Sequence, residues 1–435
     1  MKTNWCFKNI NDAYEFLESR NQYGSKLGLY TMERLMGLLE HPEDKVYTIH
    51  IAGTNGKGSV GAYLTSIFQQ AGLITYHYSS PAVFHPRDVW RRNGERVSDQ
   101  NFIECASRVY EAVYQLDKEH VYATRFEVET AMAIYGATYL HNDTLILETG
   151  MGGAEDATNV IKRPQICAFT NISFDHMQFL GDTLTEIATV KAGIIKPACE
   201  VFSAEQDPEV KAVLDEKMVY GTVNYVDNSA LELISIKPGE LKFRYKGYEY
   251  ETSLAGLYQM KNAALAIEIA LHMKYPQEMV AAGIKAAKWK ARFEVLSEEP
   301  YFIIDGAHNV DAIEQLAETI KFSFTNQPID FIIGVLKDKE YEKMMKIITP
   351  LANRIYTITP PNARGLDGKI LAEEIRKMHQ DVICCDSIDE AVTMALDHGK
   401  ETGNAILAFG SLSYLGEVRD CHDKYYKISR KYYED

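Results

Sequence analysis

The chain has 435 residues, 46% of them hydrophobic and 25% charged, and a formal net charge of −15. That length exceeds what one hydrophobic core normally serves, so two domains are expected. The acidic balance argues against nucleic acid as a partner, because phosphate backbones favour basic surfaces.

No apolar run reaches membrane-spanning length, and the opening stretch "MKTNWCFKNINDAYEFLESR" lacks a basic-then-apolar signal pattern. Seven cysteines occur without metal-ligand spacing, and Cys384 and Cys385 are adjacent. They read as reduced thiols of a cytoplasmic protein.

The first clear element pair is "VYTIHIAGTNGKGSVGAYLTSIFQQAG" from residue 46: a β-branched strand, a glycine-rich loop and a helix from about Ser59. A common phosphate loop places four residues between its first glycine and Gly-Lys-Ser/Thr. Here Gly53 is followed by only Thr54 and Asn55 before Gly56-Lys57, and Gly58 separates Lys57 from Ser59. Glycines still permit the path that turns several N–H groups toward one oxyanion. The helix that follows directs its positive end there, with Lys57 as a mobile charge and Ser59 as a hydroxyl suited to Mg²⁺.

Strand-like "ITYHYSS", "TLILETG" and "ICAFTNIS" then alternate with helical "DQNFIECASRVYEAVYQL" and "FEVETAMAIYGATYL". That alternation predicts a mostly parallel sheet whose ligands lie at the carboxyl ends of its strands. Glu148 ends one such strand, with glycines at 150, 152 and 153 beyond it; a glutamate there is also well placed to be simply solvated. Asp175-His176 follows another strand, where a lone histidine is more often structural. Lys191, on the next helical run, reads by composition as a surface lysine.

Residues 223–254 alternate apolar and polar around Pro238-Gly239 and Lys246-Gly247, which predicts a small antiparallel appendage. A helix follows from about Gln259, and "KWKARFEVLSEEP" carries no clear periodicity. From Tyr301 the alternation restarts in "YFIIDGAHN", "IDFIIGVL", "RIYTITP", "VICC" and "AILAFGS", with Asp305 and His308 just past an apolar strand. These segments predict a second, smaller α/β domain beginning near residue 293.

Taken together, "SKLGLYTMERLMGLL", "GTNGKGS", "ETGMGGAEDATNV", "DHMQFLGDTLTEIATVKAGIIK", "GLYQMKNAALA", "ARFEVL", "DGAHN", "GVLKDKEY" and "FGSLSYLGEVR" run in an order that resembles folylpolyglutamate synthase and its bifunctional relative dihydrofolate synthase, in the Mur ligase superfamily. The resemblance extends nearly end to end. It implies an ATP-binding Mur-ligase central-type domain over 1–292, P-loop-like with a mostly parallel sheet, and a Rossmann-like glutamate-ligase domain over 293–435. It also implies a monomer that joins L-glutamate to a folate, or to dihydropteroate, through an acyl phosphate. The cofactors so implied are ATP, two Mg²⁺ ions and a monovalent cation.

Residue by residue, the resemblance makes Gly53, Thr54, Asn55, Gly56, Lys57, Gly58 and Ser59 the triphosphate loop. Asn262, Arg292, Asp305 and His308 join them at the nucleotide. Ser59, Glu148, His176 and a carbamylated Lys191 would hold metal; Ser80, Arg87, Asp156 and Ser411 would meet substrate; Lys57, Lys191 and His308 would be catalytic. Arg91 and Arg92 would add positive charge near the substrate.

Four positions depart from the family pattern: Ala82 stands where "SPHL" has histidine, Tyr258-Gln259 replaces "HQ", Lys290-Ala291-Arg292 replaces "PGR", and Val310 follows "DGAHN" in place of proline. The other readings open to the loop are a P-loop ATPase or kinase and a different Mur-type amino-acid ligase.

Overall fold

Strands Tyr47–Ala52, Thr144–Glu148 and Ile166–Phe169 are buried along almost their whole length, as a parallel sheet covered on both faces requires. They form the centre of an eight-stranded sheet in a computed structural model that describes residues 6–433. The first five residues of the stretch read for a signal pattern lie outside the described residues. In spatial order the strands are Glu95–Arg96, Trp90–Arg92, Thr75–Tyr78, Thr144–Glu148, Tyr47–Ala52, Ile166–Phe169, Glu200–Ser203 and Val223–Tyr225. All neighbours pair in parallel except at the two short, Arg-bearing strands on one edge. Ile51 lies opposite Glu148, and Ala52 opposite Phe169, so three strand ends finish side by side.

The chain divides into two compact units. The first holds 1–82, 87–228 and 262–287 and contains the eight-stranded sheet. The second holds 83–86, 229–261 and 288–435. Its six-stranded sheet runs Glu294–Glu298, Tyr301–Ile304, Ala405–Phe409, Ile329–Ile333, Ile355–Thr357 and Val382–Cys384, antiparallel only at the first pair.

A separate antiparallel sheet of Leu231–Lys237, Glu240–Tyr245 and Tyr248–Thr252 turns at Gly239 (φ 80°) and at Lys246-Gly247 (φ 49° and 80°), matching the expected appendage. The appendage is shorter than 223–254, because Val223–Tyr225 extends the large sheet beside Glu200–Ser203. It groups with the second unit, whereas the sequence places it before the boundary at 292. "FEVLSEE", without periodicity, contains a strand whose register shifts against Tyr301–Ile304, and that irregularity blurs the period-2 signal. No helix among the described residues is long and apolar enough to cross a membrane, and the seven cysteines are free thiols.

Candidate active site

The loop after Tyr47–Ala52 is shaped by glycines at two close approaches. Gly53 has φ 147°, and a Cβ there would lie 1.9 Å from the Thr170 hydroxyl. Gly56 caps helix Lys57–Gln70 with φ 95°, and its Cβ would meet Asn262 Oδ1 at 2.4 Å. Asn262, expected at the nucleotide, therefore lies against the loop. Thr54 ties the loop to the segment after Ile166–Phe169: its amide donates to Asn171 O (2.7 Å), and its hydroxyl donates to Ser173 O (2.9 Å). Asp175 and His176 follow two residues on.

Charge gathers around one carbonyl. Lys57 Nζ donates to Gly53 O (3.0 Å) and Thr54 O (3.2 Å), and it lies 3.9 Å from Glu148 Oε1. Lys191 Nζ donates to the same Gly53 O at 3.0 Å. Far from being a surface residue, Lys191 is 4% exposed. The loop 150–154 packs on the backbone of its helix, since a Cβ on Gly153 would lie 2.6 Å from Lys191 O and Ala154 N donates to Val190 O at 2.8 Å. Burial, then the neighbouring Lys57, push its ammonium down to about 7, with Asp175 and Asp156 opposing.

Gly58, Ser59 and Glu148 are buried; Asn55 is half-buried. His176 is exposed in a left-handed conformation (φ 51°), its Nε2 3.9 Å from Asp175 Oδ2. Asp156 is buried and accepts from Met151 N (2.8 Å), Thr158 N (3.0 Å) and the Thr158 hydroxyl (2.6 Å). Desolvation raises its pKa, and these bonds oppose the rise.

The residues expected near substrate divide. Ser80, before Pro81, is half-buried at the end of Thr75–Tyr78. Arg87 is engaged by Asp99 (2.7 Å), the Tyr14 hydroxyl (3.0 Å) and Val97 O (2.9 Å). Arg91 pairs with Asp88 at 3.1 Å, and Arg92 donates to Asn142 Oδ1 (3.1 Å) and Leu140 O (3.3 Å). The expected basic patch is thus tied into structural contacts near the sheet edge.

In the second unit, Asp305 and Ser411 follow the neighbouring strands Tyr301–Ile304 and Ala405–Phe409. Asp305 is buried, its carboxylate accepting from Phe293 N (2.7 Å), the Tyr258 hydroxyl (2.7 Å) and Ala307 N (2.8 Å). Arg292, half-buried, donates to Ala291 O (3.2 Å). His308 Nδ1 is 2.7 Å from Gly306 O, which orients its ring. The Ser411 hydroxyl bonds with that of Ser413 at 2.9 Å. Sequence reasoning missed Thr170 and Glu294, whose carboxylate accepts from Ala291 N (2.7 Å). No local pattern announces either.

Residues 51–270 match the Mur ligase middle domain, and residues 291–412 match the Mur ligase glutamate ligase domain. The dihydrofolate synthase/folylpolyglutamate synthase of Bacillus subtilis is 33% identical over 431 residues, covering 95% of this chain and 99% of that protein. Folylpolyglutamate synthase of Lacticaseibacillus casei is 30% identical over 401 residues, covering 88% and 92%. The structure of Mycobacterium tuberculosis folylpolyglutamate synthase complexed with ADP and AMPPCP superposes with a TM-score of 0.85 at 26% identity, over 94% of this chain and 98% of that one. With these matches spanning both units, the chain belongs to the folylpolyglutamate synthase/dihydrofolate synthase family of Mur ligases.

Proposed function

We infer that the chain is an ATP-dependent ligase adding L-glutamate to a folate or dihydropteroate carboxylate. The carboxylate attacks the γ-phosphorus of ATP and releases ADP. The glutamate amine then attacks the acyl phosphate, and phosphate departs. Lys57 and the N–H groups of 53–59 offset the charge on the transferring phosphoryl group. One observation carries this reading furthest: Lys57 and Lys191 meet at the Gly53 carbonyl with Glu148 beside Lys57, at the carboxyl edge of a parallel sheet.

The donor set also fits Mg²⁺, since the Ser59 hydroxyl and the Glu148 carboxylate offer hard oxygens beside the loop. When bound, the ion would polarise the γ-phosphate. His176, exposed beside Asp175, completes the assigned ligands with Lys191. Burial of Lys191 with its pKa near 7 leaves a neutral amine fraction able to add CO₂, in keeping with a carbamate there. Incubation with ¹³C-labelled bicarbonate should give a carbamate carbon signal that Lys191→Ala lacks; the same spectrum from both proteins rules the modification out.

Asn262, Arg292, Asp305 and His308 are assigned to the nucleotide, and Ser80, Arg87, Asp156 and Ser411 to the substrate. The division at 292, a monomeric state and a cytoplasmic location belong to the same reading. Its test is ADP release by the purified protein with ATP, Mg²⁺ and a reduced folate or dihydropteroate. Release should require L-glutamate. Equal release without glutamate would favour the ATPase or kinase reading.

A further inference from the structure

The turn carrying Arg292 is strained on both sides. Ala291 (φ 53°) and Phe293 (φ 50°) are buried non-glycine residues in the left-handed region. Such a conformation persists only where its surroundings over-determine it. Here Ala291 N donates to Glu294, Gly306 N donates to Ala291 O (2.9 Å), and Phe293 N donates to Asp305 Oδ2 (2.7 Å). A Cβ at Gly306 would lie 1.9 Å from an Arg292 guanidinium nitrogen, so the guanidinium rests on the backbone just past Asp305.

Asp305 is the joint of this arrangement, and its Oδ2 takes a second donor, the Tyr258 hydroxyl at 2.7 Å. The Tyr258 ring is seated against Gly256, where a Cβ would come within 2.4 Å of it. Tyr258 stands where the family pattern usually has histidine. A buried carboxylate that loses one of few donors is left partly unsatisfied in an apolar site, which weakens its hold on the remaining donors.

We propose that Tyr258 is a positioning residue for Arg292: its hydroxyl fixes the Asp305 carboxylate, which in turn holds the Phe293 amide and the strained turn from which Arg292 projects. The inference rests on the reading that Arg292 serves the nucleotide.

Tyr258→Phe removes the hydroxyl and keeps the ring against Gly256. In the full-length protein, amide exchange at Phe293 should quicken roughly tenfold, the scale of one hydrogen bond to a charged group. The Kd for ADP should rise by about the same factor, and that rise should vanish when Tyr258→Phe is placed in an Arg292→Ala background. Unchanged exchange at Phe293 would overturn the inference. So would an equal loss of ADP affinity in both backgrounds, since Tyr258 would then act on nucleotide by another route. Faster exchange at Phe293, with ADP affinity insensitive to Arg292→Ala, supports the link from Tyr258 to the turn and overturns the assignment of Arg292 to the nucleotide.

Discussion

Lys57 and Glu148 sit 3.9 Å apart in a largely buried setting, where charge acts over a lower dielectric than at the surface. Lys57→Ala and Glu148→Ala should each lower turnover by roughly two to four orders of magnitude, the range for removing a transition-state charge stabiliser. Steady-state rates with folate, ATP and glutamate check this, beside a circular dichroism spectrum matching the wild type. His50 offers a separate test, of stability. Its Nε2 lies 2.8 Å from the Thr158 hydroxyl, its Nδ1 is buried without a partner, and burial pushes its pKa down to about 3, with Lys196 adding to the shift. Between pH 6.5 and 3 the unfolded chain binds a proton that the folded chain refuses, so stability falls as pH falls through that window. The slope is about 1.4 kcal/mol per pH unit. Denaturant melts of His50→Asn should lack this contribution and keep the similar one from His77, also pushed down to about 3.

Helix Lys57–Gln70 owes its position to its contact with helix Gln277–Ala286. A Cβ on Gly283 would lie 2.5 Å from Ile67 Cα, so the helices touch backbone to backbone. Gly283→Leu should lower stability by about 1–3 kcal/mol, as overpacking does. It should also raise the KM for ATP, because the displaced helix carries the phosphate loop at its N-terminus; melting curves and ATP titrations read the two effects. This strand–loop–helix unit was legible in the sequence, because a β-branched run, a glycine-rich loop and a helical run in succession are local signals, even though the helix is buried along 58–68. The strand ends bearing Glu148 and Asp305 were legible for the same reason. The burial of Lys191 was not, since its ammonium is drawn inside by the Gly53 carbonyl, 138 positions earlier in the chain. The tie between Arg87 and Asp99 was equally hidden, as opposite charges twelve positions apart carry no pairing signal. The short strands Trp90–Arg92 and Glu95–Arg96 escaped because three and two residues, mostly charged, are too few to show a period, and the second is the sheet's exposed edge.

Across the whole molecule, each unit is assembled from segments distant in sequence. Ala255 belongs to the same apolar cluster as Phe293, Ile303 and Phe331, and Leu257 N donates to the Thr319 hydroxyl at 3.0 Å. A fragment of residues 293–435 leaves that cluster without Ala255, and the unit without its three-stranded sheet. It should show weakened near-ultraviolet dichroism and bind hydrophobic dye, although its six-stranded sheet is intact in sequence. A native-like near-ultraviolet spectrum from the fragment would show that 229–261 is dispensable to the unit.

The Gly53 carbonyl accepts hydrogen bonds from two lysines, and this has a kinetic consequence. For Lys57 this neutral oxygen acts as placeholder for an anion, holding the cationic side chain in order at little electrostatic gain. An incoming triphosphate therefore trades places with a weak internal acceptor, and the entropy of ordering that long side chain has already been spent. Capture should then be limited by diffusion and desolvation, with discrimination between anions residing in how fast each one leaves.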